Sequence, residues 1–250
     1  MSVKIRNLPT GVPGLDEILG GGVPEFSFNI LGGGPGSGKT TLAHQVMFAN
    51  ATPEKPAIFF TILGEPTIKM LRYQQQFSFF DGEKLNESVY FVNLSRAVLD
   101  NSLESVMNEI VREVEAVRPG IVVVDSLAGF EMAVAPGFRT DFREALYRMI
   151  GALTSSGVTV VTTVEVAESF TEIEFSGYTV SFLSDDIIRL RYVELDGEVG
   201  KVMFVVKMRG GDHSKQIRRY EIKEKGVVVS KEPLRGYRGL LTGIPRLPER

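Results

Sequence analysis

The sequence predicts an α/β fold: a mostly parallel sheet flanked by helices, with an antiparallel β extension on its C-terminal side. Three observations lead there. Apolar, β-rich runs alternate with helical patterns over the first two thirds of the chain. Some of these runs, such as Ile121-Val122-Val123-Val124, are continuously apolar, as strands covered on both faces are. After about residue 175 strand-like segments instead follow one another through short turns.

Element by element, Phe26 to Leu31 reads as the first strand of the sheet. A glycine-rich loop follows, and Thr41 to Ala49 reads as a helix with Leu42, Val46 and Ala49 buried. Ala57 to Ile62 is the next strand, Thr67 to Phe79 a helix of imperfect periodicity, and Val89 to Val92 a short strand. Leu103 to Val117 carries Val106, Ile110, Val114 and Val117 at helical spacing with glutamates elsewhere, and Pro119-Gly120 ends it. Ile121 to Val124 is a buried strand, Thr140 to Ser155 a helix, and Val158 to Val161 another buried strand. Ile187 to Val193, Lys201 to Met208, Ile217 to Ile222 and Val227 to Val229 make the extension, with hairpin turns at Asp196-Gly197 and Lys225-Gly226. One domain over 1–250 is expected, with 233–250 as a tail. A six-residue motif at its start, Thr10-Gly11-Val12-Pro13-Gly14-Leu15, recurs as Thr242-Gly243-Ile244-Pro245-Arg246-Leu247.

The composition narrows the function classes. With 43% hydrophobic and 24% charged residues the chain has the balance of a soluble globular protein. No window holds 18 consecutive apolar residues and the first residues lack a signal-peptide core, so a cytoplasmic protein without a membrane span is expected. The absence of cysteine excludes disulfides, thiolate metal sites and thiol catalysis. The net charge of -3 conceals an asymmetry: residues 1–200 hold 15 Lys/Arg against 26 Asp/Glu, residues 201–250 hold 13 against 5. Such a basic segment suits either nucleic acid or the acidic body of a neighbouring copy; overall acidity favours the copy.

The chemistry concentrates in Gly33-Gly34-Pro35-Gly36-Ser37-Gly38-Lys39-Thr40, a complete G-x-x-x-x-G-K-T loop between a strand and a helix. Glycines let backbone N–H groups turn inward around phosphate oxygens. Lys39 brings a positive charge to the β- and γ-phosphates, and the Thr40 hydroxyl suits Mg²⁺. The following helix, with Thr41 in its first turn, adds the positive end of its dipole. ATP and Mg²⁺ are the expected ligands, held by Gly34, Pro35, Gly36, Ser37, Gly38, Lys39, Thr40 and Thr41. Asp125 ends a buried apolar strand 85 positions after Thr40 and is the expected second metal residue, acting through water. For orienting the attacking water, Glu65 follows the second strand and Glu165 follows the strand Val158 to Thr163. Glu65 beside Pro66 equally fits a helix-start acid.

Together these residues resemble the KaiC-like ATPases of the RecA superfamily. The resemblance runs from Thr10-Gly11-Val12-Pro13-Gly14-Leu15-Asp16 and Gly20-Gly21-Gly22-Val23-Pro24, through the loop and Val124-Asp125-Ser126, to Thr162-Thr163-Val164-Glu165, Phe182-Leu183-Ser184-Asp185-Asp186 and Lys207-Met208-Arg209-Gly210-Gly211-Asp212-His213. It implies a RecA-like sheet and a homohexameric ring with ATP between neighbours. It further implies that Lys207, Met208, Arg209, Gly211 and His213 reach the ATP of the adjacent copy, with Arg209 as an arginine finger. Glu65, Lys39 and Arg209 are then the expected catalytic residues. One departure bears on turnover: the family's clock protein has two adjacent glutamates where an ungapped alignment sets Leu63 and Gly64, with Glu65 one place late. A one-residue slip reverses the face of a strand residue, so slow or absent hydrolysis is an expected possibility.

Three functions fit these residues: a ring-forming ATPase whose nucleotide state controls assembly or signalling, a nucleotide-gated scaffold with little hydrolysis, and a recombinase-like DNA-binding ATPase. The acidic body opposes the third, because nonspecific DNA affinity rests on several phosphate contacts. Signalling partners are not legible in the sequence.

Overall fold

The structure is a computed structural model that describes residues 5–62, 66–95, 103–127, 129, 139–166 and 183–241. The chain opens with β1 (Asn7–Leu8), α1 (Leu15–Ile18) and β2 (Val23–Pro24). Then come β3 (Phe28–Gly33), α2 (Lys39–Asn50), β4 (Ala57–Thr61), α3 (Thr67–Gln74), β5 (Val89–Asn93), α4 (Leu103–Val117), β6 (Ile121–Asp125), α5 (Arg139–Ser155) and β7 (Thr159–Glu165). β8 (Asp186–Leu195), β9 (Glu198–Met208), β10 (Arg218–Lys223) and β11 (Gly226–Pro233) complete it. β3 to β11 form one sheet in the order β11-β10-β9-β8-β3-β7-β6-β4-β5. The pairings from β8 across to β5 are all parallel, and those joining β8, β9, β10 and β11 are antiparallel. The fold class is the one the sequence predicts.

Both faces of the parallel part of the sheet are covered, which is why the inner strands β4 and β6 are apolar at every position but the last. Ile30, Ile58, Phe60, Val122, Val124 and Val160 share one core with Val106, Ile110 and Val114 of α4 and Leu146, Met149 and Leu153 of α5. Their strand neighbours Leu31, Phe59, Val123 and Val161 share the other with Leu42, Val46 and Met47 of α2. Each such side chain, fully buried, contributes about 1.5–3 kcal/mol.

Three local expectations change. Ala49 is exposed rather than buried, while His44 and Gln45 are enclosed with the rest of residues 42–48. The reason is that α2 is covered on two sides: His44 packs on Phe59 of β4 and Phe91 of β5, with ring centres 4.4 and 5.8 Å apart, and the β10–β11 hairpin covers Gln45. Gln45 accepts the Val227 N–H at 2.6 Å and donates to the Lys225 and Val227 carbonyls at 3.0 and 3.2 Å. Next, α3 stops at Gln74 instead of Phe79. Phe79 and Phe80 turn back onto Phe48, with ring centres 6.1 and 5.1 Å apart, and Ser78 N–H bonds the Glu224 carbonyl. Finally, the second hairpin turn is Glu224-Lys225, since Lys223 pairs with Gly226, one residue earlier than expected. The first turn stands as expected: Asp196 and Gly197 have φ of 56° and 82°, the two positive values a tight β-hairpin takes. The recurrence at residues 242–247 lies outside the described residues.

Candidate functional site

The parallel strands bring their carboxyl ends to one edge of the sheet, where open α/β sheets bind ligands. Gly33 is level with Glu165 of β7, and Thr61 with Asp125 of β6. The glycine loop leaves β3 at this edge and enters α2 through Gly38, whose φ of 98° only glycine adopts readily. A side chain there would also meet Ile222 Cδ1 at 2.6 Å.

Within the loop, Lys39 Nζ donates to the Gly33 and Gly34 carbonyls at 2.9 and 2.8 Å. Thr40, in the first turn of α2, donates its hydroxyl to Asp125 Oδ2 at 2.8 Å. The other Asp125 oxygen accepts from Thr163 of β7. The sequence thus places Thr40 and Asp125 85 positions apart, and the fold joins them directly. A hydroxyl and a carboxylate are hard oxygen donors of the kind Mg²⁺ takes, and Mg²⁺ keeps most of its remaining positions for water and phosphate. Among the described residues no group of three or more His, Asp or Glu forms an all-protein metal cage.

Of the two candidates for orienting water, Glu65 lies outside the described residues, as do Leu63 and Gly64. Glu165 is the exposed last residue of β7, beside the root of the loop.

Lys207, Met208, Arg209, Gly211 and His213 lie elsewhere. Lys207 is level with Ile187 and Met208 with Asp186, and Asp186 is level with Asn29 near the start of β3. Four residues of β3 separate that level from Gly33, about 13 Å at the usual rise per residue. Two strands' width is added sideways. Here Arg209 forms an ion pair with Asp185 at 3.6 Å, its N–H bonds Asp186 Oδ1 at 3.2 Å, and Lys207 Nζ donates to the Ser184 carbonyl. Burial and neighbouring Arg209 lower the Lys207 ammonium below its usual value, against Asp185 and Asp186. Burial, then Lys215, lowers His213, with Asp212 opposing. Burial raises the Asp186 carboxyl to about 7; the Arg209 N–H opposes this, Asp185 adds to it and Lys207 opposes it.

The opening motif supports this second group. Asp16 Oδ1 accepts the Thr10 N–H at 2.8 Å and its hydroxyl at 2.5 Å, closing the turn before α1. Ser214 N–H then bonds the Ile18 carbonyl at the end of α1, and a side chain on Gly20 would meet the Asp212 carbonyl at 2.5 Å. The two glycine motifs far apart in sequence are therefore one docked surface.

Thr163 as a partner of Asp125, and Lys201 and Tyr220 as partners of the loop, escaped the sequence reading. Lys201 Nζ reaches the Gly36 carbonyl at 3.2 Å and the Tyr220 hydroxyl the Ser37 carbonyl at 2.6 Å. No local pattern marks Lys201 and Tyr220, because both bonds span more than 160 positions.

Comparison with known proteins agrees with this geometry. The family described as ATPase, KaiC, matches residues 8–233. A UPF0273 protein of Thermotoga maritima is 31% identical over 244 residues, covering 90% of this chain and 96% of that protein. A UPF0273 protein of Aeropyrum pernix is 32% identical over 243 residues, covering 90% and 94%. The circadian clock oscillator protein KaiC of Thermosynechococcus vestitus is 27% identical over 236 residues, covering 94% of this chain but 44% of that protein. A phosphate loop closed by Thr40 and Asp125 at the edge of a RecA-like sheet, matched by one family over nearly its whole length, makes this chain a member of the KaiC ATPase family.

Proposed function

We propose that this chain is a ring-forming ATPase whose sites are completed between copies: one copy holds ATP on its glycine loop, and the next supplies Lys207, Met208, Arg209, Gly211 and His213. The observation that carries this reading is the distance between the two groups. Lys207 and Arg209 lie at the opposite end of the sheet from their own loop, too far to serve it, yet they are the residues whose motif calls for phosphate contact.

In this reading the loop amides cradle the α- and β-phosphates and Lys39 reaches the β- and γ-phosphates. Thr40 and Asp125 hold Mg²⁺, which when bound neutralises charge on those phosphates. Glu65, or Glu165, orients water for attack on the γ-phosphorus. The bond from γ-phosphorus to the bridging oxygen breaks, ADP leaves, and the proton of the water passes to the carboxylate or solvent. Arg209 of the next copy stabilises charge on the transferring group, after leaving Asp185. The family-level function, an ATP-binding ATPase, is the coarser part of this statement; the ring, the shared site and Mg²⁺ are the proposal.

A scaffold that binds ATP without turning it over is favoured by one observation, Leu63-Gly64 in place of two glutamates. Mass by light-scattering chromatography with and without ATP and Mg²⁺, joined to phosphate release on the same samples, separates the readings. A six-copy species releasing phosphate is expected. A six-copy species without release supports the scaffold, and a monomer under all conditions removes the role given to Lys207 and Arg209.

A further inference from the structure

The antiparallel extension reaches the phosphate loop. β8 is level with Gly33 at Leu190 and runs on to Leu195, so its last residues stand beyond the parallel strands, beside the loop. Tyr192 of β8 and Lys201 of β9 are paired there. Lys201 Nζ donates to the Gly36 carbonyl at 3.2 Å and lies 5.5 Å from the centre of the Tyr192 ring. On the other flank Tyr220 of β10, 2% exposed, donates its hydroxyl to the Ser37 carbonyl at 2.6 Å. The approach is close enough that a side chain on Gly36 would meet the Tyr192 hydroxyl at 2.9 Å.

These bonds have a direction. In a planar trans peptide a carbonyl and the N–H of the next residue point opposite ways. Drawing the Gly36 carbonyl outward to Lys201 turns the Ser37 N–H toward the loop interior, where it meets the Gly34 carbonyl at 3.3 Å. Drawing the Ser37 carbonyl outward to Tyr220 turns the Gly38 N–H inward likewise. Inward N–H groups on consecutive residues are what an anion-binding concavity consists of. Fixing them before the ligand arrives removes an ordering cost from binding.

We propose that Lys201 and Tyr220 are positioning residues for polyphosphate binding, holding the apex of the loop with its amides aimed at the phosphates of a nucleoside di- or triphosphate. The inference rests on the reading of the loop as a nucleotide site. It assigns the antiparallel extension a share in ligand affinity, and predicts that the share is the same for ATP and ADP, because the apex amides serve phosphates common to both.

The test is calorimetric titration of ATP and of ADP into the full chain and its variants Tyr220→Phe, Lys201→Met, Lys201→Arg and Lys39→Ala, with amide hydrogen exchange of residues 34–38 in the ligand-free proteins. Tyr220→Phe and Lys201→Met are expected to weaken both nucleotides by about five-fold each, the worth of one hydrogen bond, with Lys201→Arg restoring affinity. Exchange at residues 36–38 quickens in both weakened variants, while β4 and β6 keep their protection. Wild-type affinity in both Tyr220→Phe and Lys201→Met, beside lost binding in Lys39→Ala, overturns the positioning role and leaves the nucleotide site standing. Weakening that appears only with a lowered melting temperature and faster exchange in β4 and β6 also overturns it, since the residues then serve the fold. Undiminished binding in Lys39→Ala removes the nucleotide reading and this inference with it.

Discussion

The two ends of the sheet carry contrasting chemistry. At the carboxyl end of β3 and β6, Thr40 and Thr163 both donate to Asp125, Lys39 donates to the Gly33 and Gly34 carbonyls, and the Gly36 and Ser37 carbonyls are held from behind by Lys201 and Tyr220. This end is assembled within one chain. At the start of β3 and β8, Arg209 rests on Asp185 and Lys207 on the Ser184 carbonyl, beside a buried Asp186 whose second oxygen has no partner among the described residues. Lys207 and Arg209 are gathered there, at the far end of the sheet from the same chain's loop. The contrast is what the proposed shared site requires: in that reading one copy builds the phosphate site, the next supplies the charge-stabilising residues, and Arg209 and Lys207 give up their resting partners Asp185 and the Ser184 carbonyl.

The largest effect that would break this comparison is on turnover. Arg209→Ala is expected to lower ATP hydrolysis by about 1,000-fold, the low end for an arginine finger, with ATP affinity of isolated subunits kept. Steady-state phosphate release and calorimetry check the two halves. Loss of a base costs about 100-fold or more, so Glu65→Gln and Glu165→Gln, compared under saturating ATP, show which carboxylate serves. Glu65→Gln is expected to carry the loss; a fall only in Glu165→Gln reassigns the role. Lys39→Ala is expected to weaken ATP by about 100-fold, as removal of charge-assisted bonds to phosphate does.

The smallest effect sharpens the comparison through pH. His44, on α2 behind the loop, is enclosed and stacks on Phe59 at 4.4 Å; burial lowers it to about 3, with Gln74 partly opposing. A histidine depressed in the folded state contributes stability above its usual value, which is lost as pH falls from about 6.5. Asp186 has the reverse sign. Raised to about 7, it contributes stability below its ordinary value near 3.8 that is lost as pH rises through 7. Chemical denaturation across pH is expected to show a flatter acid limb in His44→Leu and a flatter slope between pH 4 and 7 in Asp186→Asn. Each change is at most about 1.4 kcal/mol per pH unit, the slope of one proton. Unchanged slopes would contradict the burial of the two groups.

The sequence was most legible where the cause is local. The glycine loop declares its own task, Asp125 stands at the end of an apolar run, and α4 shows its buried stripe in Val106, Ile110 and Val114. Legibility failed where distant segments decide. Helix α2 reads as burying Leu42, Val46 and Ala49, yet the β4 and β5 rings enclose His44, Val227 of β11 encloses Gln45, and Ala49 is left outside. Thr163 is one threonine among several in a strand, and only the pairing of β6 with β7 sets it beside Asp125. Tyr220 and Lys201 became loop partners because β8 and β9 overrun the parallel strands. Glu65, the residue on which turnover most depends in this reading, lies outside the described residues.

The central claim, that one copy binds ATP and the next completes the site, is tested most directly by mixing. Lys39→Ala subunits keep Arg209 but lose the loop's charge; Arg209→Ala subunits keep the loop but lose the finger. Each alone is expected to be inactive. Mixed equally and assembled with ATP and Mg²⁺, about a quarter of the interfaces in a closed ring pair an intact loop with an intact finger. Phosphate release near a quarter of wild type is the predicted result. No release from mixtures that native mass spectrometry shows to contain both subunits would contradict the account.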